Sequence, residues 1–152
     1  MLGIIIALFA IALAQILKLP LHLLQTGKWD WSRLFETGGM PSSHSAAVTS
    51  LTAFIGLTEG FNSIYFAIST IFSLIVMYDA MGIRRHAGEI AMQVNDLDED
   101  VEKLAGDHPG IYHKRRTKEL KEKLGHQPVE VVGGAVFGIA IGLLSYWLIQ
   151  IF

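Results

Sequence analysis

The sequence predicts an all-α integral membrane bundle of about four transmembrane helices, with amphipathic helices on its cytoplasmic side. Three observations predict it. The 152 residues are 51% hydrophobic and only 17% charged, with a mean hydropathy of +0.42. That is too apolar for an ordinary small soluble domain and lacks the signature of disorder. The apolar residues gather into four runs, at 1–17, 45–57, 64–77 and 129–152. All twelve lysines and arginines fall outside these runs, within 18–33 and 84–123. The chain reads as a single domain over residues 1–152 with one long polar stretch at 79–127.

A helix that crosses the hydrocarbon core needs about 20 apolar residues, with roughly 17 as the lower limit. The first run sits at that limit. No basic stretch precedes it and no small-residue cleavage pattern follows before Lys18 and Pro20, so it reads as a retained first helix rather than a signal peptide. The second run is short unless extended to 41–58, and it carries Ser45, Thr49, Ser50 and Thr52. Hydroxyls and alanines of that kind suit a helix packed inside a bundle. The third run becomes long enough when extended to 61–80, and the fourth is long enough as it stands. In the polar stretch, Ile83, Ala87, Ile90, Ala91, Val94, Leu97, Val101 and Leu104 recur at spacings of three and four. That period predicts an amphipathic helix continuing out of the third run. Gly106, Pro109 and Gly110 break it. A second short helix, at 113–124, alternates basic and acidic residues and is expected at the membrane surface.

Four spans make three connections, so the first and third connections share one side and the second lies on the other with both termini. Every lysine and arginine belongs to the first group. By the positive-inside rule that side is cytoplasmic, and both termini face outward in the cell membrane. The net charge of −2 gives no global pull toward nucleic acid. With no cysteine, disulfides, thiolate metal sites and thiol nucleophiles drop out.

Two short segments carry residues suited to chemistry. Gly38-Gly39-Met40-Pro41-Ser42-Ser43-His44 looks like a loop entering a helix, with Ser42 and Ser43 at the cap. A helix start presents unpaired N–H groups and a positive dipole end, which suit a phosphate. His44 there could donate a proton to a leaving oxygen; an ordinary capped transmembrane helix with an interfacial histidine has the same spacing. Gly125-His126-Gln127-Pro128-Val129-Glu130 repeats the logic at the start of the last helix. His126 and Glu130 are four apart, so the carboxylate can fix one imidazole tautomer and leave the other nitrogen free to attack. A surface histidine with a capping carboxylate would look alike. Asp79, Arg84 and Arg85 sit where the third helix leaves the same side, and arginine forks match phosphate oxygens. Topological anchoring is their alternative role, and Lys18 and Arg33 share that ambiguity. The basic cluster at 114–123 reads as a solvated or lipid-touching face. The six histidines, His22, His44, His86, His108, His113 and His126, show no tight ligand spacing, so no metal site and no cofactor is expected.

Taken together, these segments resemble the divergent branch of the type-2 phosphatidic acid phosphatase superfamily, related to vanadium haloperoxidases. The resemblance spans nearly the whole chain through the segments around Pro41-Ser42-Ser43-His44, Tyr78-Asp79-Ala80-Met81-Gly82-Ile83-Arg84-Arg85 and Gly125-His126-Gln127-Pro128-Val129-Glu130-Val131. It implies a metal-independent phosphatase acting on a phospholipid, with His44 as general acid, His126 as the nucleophile that becomes phosphohistidine, and Glu130 as its partner. It further implies phosphate binding by Lys18 and Arg84, with Arg33 or Arg85 and the Ser42 and Ser43 turn contributing. Ser43 stands where the superfamily motif has glycine, and Glu130 where it has aspartate. His86, three before Glu89, is the competing nucleophile. The cytoplasmic orientation points to a substrate made inside, such as phosphatidate or phosphatidylglycerophosphate. A non-catalytic protein that binds anionic lipid or a partner is the rival reading. A bundle this small leaves room for a homodimer, or a closely docked amphipathic helix, to complete the site.

Overall fold

The computed structural model describes residues 1–34, 38–105, 120 and 125–151, with the backbone alone at 25, 33 and 105. The chain is a helical membrane bundle. Its elements are α1 (Leu2–Thr26), a 3-10 turn η1 (Trp31–Leu34), α2 (Ser43–Glu59), α3 (Ile64–Met81), α4 (Ile83–Ala105) and α5 (Pro128–Ile151). The predicted short helix at 113–124, the breaking residues Gly106, Pro109 and Gly110, and His108 and His113 lie outside the described residues.

The first helix outruns its apolar run. α1 continues through Lys18 and Pro20 to Thr26 and ends at Gly27, whose φ of 69° lets its N–H cap the Leu23 carbonyl. Lys18 and Leu19 are buried, so the extra turns have an interior face to pack. α1, α3 and α5 are long and apolar enough to cross a membrane. The fourth expected span, α2, has 17 residues and runs among them. With its cap Ser42, it carries five of the eight buried polar side chains among the described residues, the others in it being Ser43, Ser45, Thr49 and Ser50.

Small residues let α2 and α5 approach closely. Gly134, Gly138 and Gly142 form one stripe on α5, and a methyl group added to any of them would collide with α2. At Gly134 it would meet the Ser42 backbone, at Gly138 Ala46 and the Thr49 hydroxyl, and at Gly142 the Ser50 carbonyl. Thr49 Oγ1 accordingly donates both to its own helix at Ser45 O, 2.7 Å, and across to Ala135 O, 3.1 Å. On the other flank Thr52 and Ser73 hydroxyls pair at 2.8 Å and join α2 to α3. With no apolar driving force between helices in lipid, close backbone packing and such bonds hold the bundle together.

These contacts set the directions. Gly3 packs on Leu51 and Phe54, whereas Ala10 and Ala14 cluster with Ala46, so α1 and α2 are antiparallel. The matched order of Gly134, Gly138 and Gly142 along Ser42 to Ser50 makes α5 parallel to α2. The N-termini of α2 and α5 therefore meet the C-terminal parts of α1 and α3 at one end of the bundle. α4 leaves that end after a break at Gly82, and its exposed apolar residues include Ile83, Ile90, Leu97 and Leu104, the amphipathic pattern expected of it.

Candidate active site

The last loop is locked onto the end of α3. Gly125 has a φ of 84°, and a Cβ there would lie 2.5 Å from the Arg85 nitrogen and 2.9 Å from the Arg84 carbonyl carbon. Both the backbone angle and the space demand glycine at this position. One residue on, the His126 N–H donates to Ala80 O at 3.0 Å. Pro128 then opens α5, as proline suits a first helical turn.

That turn aims two side chains at each other. His126 Nδ1 lies 3.0 Å from Glu130 Oε2, and the imidazole is buried at 5% exposure. The same carboxylate accepts the Gln127 N–H at 3.1 Å, and the Gly39 N–H lies near enough to favour its charge. An ionised carboxylate can only accept, so the shared proton sits on Nδ1 and the Nε2 lone pair is free. The Ser42 N–H donates to Glu130 O at 3.0 Å and ties the loop before α2 to the start of α5.

Through that tie, His44 comes beside His126. Ser42 caps α2 through its hydroxyl, which accepts the Ser45 N–H at 3.4 Å. Ser42 and Ser43 are buried, whereas His44 is exposed. The His44 and His126 ring centroids are 6.3 Å apart, with the rings inclined by 66°. Arg84 and Lys18 bring positive charge to bear on His44, and Asp79 opposes them. Lys18 is 4% exposed, and its Cδ lies 3.9 Å from where a Gly39 Cβ would stand.

The arrangement thus gathers His44, His126, Glu130, Lys18 and Arg84 at one end of the bundle. Arg84 is held by Asp79 at 2.8 Å. Arg85 and His86 point to another partner, Glu89, at 3.1 and 3.0 Å. His86 is 76% exposed, in contrast to the buried His126. The backbone of Arg33 belongs to η1, which packs on α1; its side chain is outside the described residues. Among the described residues, no three His, Asp or Glu side chains gather as a metal site.

Gln15 is a buried polar group that did not stand out in the sequence. Its Oε1 and the neighbouring helix's Ser45 Oγ are buried with no hydrogen-bond partner among the described residues. A single polar residue inside the apolar run of 1–17, one turn before Lys18, was the available signal.

Residues 2–141 match the model of the divergent PAP2 family. The chain belongs to this family. The matched span takes in every residue of the histidine site. The chain is also similar to the uncharacterized membrane protein YuiD of Bacillus subtilis (strain 168), with 48% identity over 145 residues, covering 93% of this chain and 92% of that protein. No solved structure matches.

Proposed function

We propose that this chain is a metal-independent membrane phosphatase that hydrolyses a lipid phosphate monoester, of the phosphatidate or phosphatidylglycerophosphate class, at the cytoplasmic face. The observation that carries the reading is the buried His126 held by Glu130 at 3.0 Å, 6.3 Å from His44 and flanked by Lys18 and Arg84. Membership of the divergent PAP2 family supports it.

His126 Nε2 attacks phosphorus while Nδ1 keeps its proton against Glu130. The bond from phosphorus to the lipid oxygen breaks, and that oxygen takes a proton from His44. Water then gives a proton to the neutral His44 and attacks the phosphohistidine, the P–N bond breaks, and inorganic phosphate leaves. Phosphoryl transfer asks chiefly for positioning and charge stabilisation, which Lys18, Arg84 and the start of α2 supply. Arg84 must exchange Asp79 for phosphate. An exposed ion pair of that kind is worth about 1 kcal/mol or less, so the exchange is easy.

Purified protein should release phosphate from phosphatidate or phosphatidylglycerophosphate, unaffected by EDTA and inhibited competitively by vanadate, whose trigonal-bipyramidal form resembles the transition state. Loss on EDTA treatment restored by magnesium or zinc would overturn the metal-independent scheme. Lipid binding with no release would favour the rival reading as a binding protein.

Orientation rests on the charge distribution and is tested separately. In a chain without native cysteine, Asn62→Cys, between α2 and α3, should react with an impermeant thiol reagent in intact cells. Lys28→Cys, on the side of the histidines, should react only after lysis. The reverse pattern would move the site to the outer face.

A further inference from the structure

α3 and α5 both pack on α2 and touch each other little, leaving an open apolar groove of about 630 Å³ between them. That volume is within the roughly 300 to 1,000 Å³ of ordinary ligand sites. Leu74, Tyr78 and Met81 line it from α3, and Val131, Ala135 and Ile139 from α5. Both walls belong to membrane-crossing helices, so the groove opens toward hydrocarbon.

Its position along the helices selects the occupant. At the upper end, Tyr78 precedes Asp79, the partner of Arg84, and Val131 follows Glu130, the partner of His126. From Val131 to Ile139 the α5 wall runs about 12 Å at 1.5 Å per residue, most of the depth of one leaflet, whose hydrocarbon is about 15 Å thick. The groove therefore starts at the cationic histidine site and descends toward the bilayer midplane. An amphiphile with an anionic head and an apolar chain matches both ends. A helix of a second copy would fill the groove but bring no anion to Arg84 and Lys18.

We propose that this groove holds one hydrocarbon chain of the lipid whose phosphate occupies the histidine site, so that substrate enters sideways from its own leaflet. The inference rests on the lipid phosphatase reading and adds a determinant of chain length to it. Ala135 stands at mid-depth and Ile139 at the deep end of the α5 wall.

Photolabelling reads occupancy without turnover, so failure of the groove and failure of the phosphatase reading give different results. In bilayers, phosphatidate bearing a diazirine at the middle of one acyl chain should label α3 and α5 at the groove. Excess unlabelled phosphatidate, but not phosphatidylcholine, should compete, and Ala135→Phe should cut the label about tenfold. Ile139→Trp should raise the KM for dipalmitoyl phosphatidate about tenfold relative to its effect on the dihexanoyl lipid. Label spread evenly over the lipid-facing sides of α1, α3 and α5, without competition, would overturn the proposal. So would an intermolecular disulfide formed in the membrane by Val136→Cys, which would make the groove a contact between two copies, or an Ile139→Trp effect independent of chain length.

Discussion

His126→Ala should remove phosphate release and the acid-labile phosphoenzyme together. If His126 Nε2 forms the bond to phosphorus, no other side chain in the arrangement can take its place: His44 is needed as the acid, and His86 is turned to Glu89 in solvent. Loss of a nucleophile in a cooperating set costs about as much as loss of the whole set, so turnover should fall by about 10⁴-fold or more. Rapid acid quench with radiolabelled substrate measures the phosphoenzyme, and steady-state release measures turnover. His86→Ala should leave both within about twofold, as expected for an exposed site that makes only a surface ion pair. An inactive His86→Ala beside an active His126→Ala would transfer the nucleophile's role to the exposed histidine.

Much of this arrangement was legible in the sequence because its determinants are local. Pro128 at a helix start, and Glu130 one turn beyond His126, follow from helical period alone, and the 3.0 Å contact is that period realised. The amphipathic α4 was legible for the same reason. Other features needed partners far along the chain. Continuation of α1 beyond Leu17 depends on burial of Lys18 against the Gly39 loop, which no local pattern reports. The hydroxyl-rich face of α2 was readable as an interior face, but its complement on α5, Gly134, Gly138 and Gly142, was not singled out. Its spacing of four was present as a signal for close helix packing. The seat of His126 on the Ala80 carbonyl and the Ser42 N–H bond to the Glu130 carbonyl are backbone contacts between distant segments. Side-chain type does not encode such contacts, and they bring the two histidines together.

His44→Ala tests the other half of the chemistry, and its signature is dependence on the leaving group. A lipid alkoxide is a poor leaving group that must be protonated as the P–O bond breaks, and a positioned acid contributes typically about 10² to 10⁴-fold. Hydrolysis of phosphatidate should fall by that amount. Nitrophenolate leaves without a proton, so formation of the phosphoenzyme from p-nitrophenyl phosphate should be nearly spared. The second step has no leaving alcohol, yet His44 also takes the proton from the attacking water. Breakdown of the intermediate should therefore slow for both substrates, and p-nitrophenyl phosphate should give a burst of nitrophenol equal to the enzyme concentration, followed by slow turnover. Wild-type protein should show no such burst if breakdown is not limiting. Stopped-flow absorbance reads the burst directly, and circular dichroism checks that the helices persist, which the exposure of His44 leads one to expect. An equal loss with both substrates and no burst would mean that His44 positions the phosphate rather than moving a proton, and the acid would have to be sought in Lys18 or in water held at the start of α2.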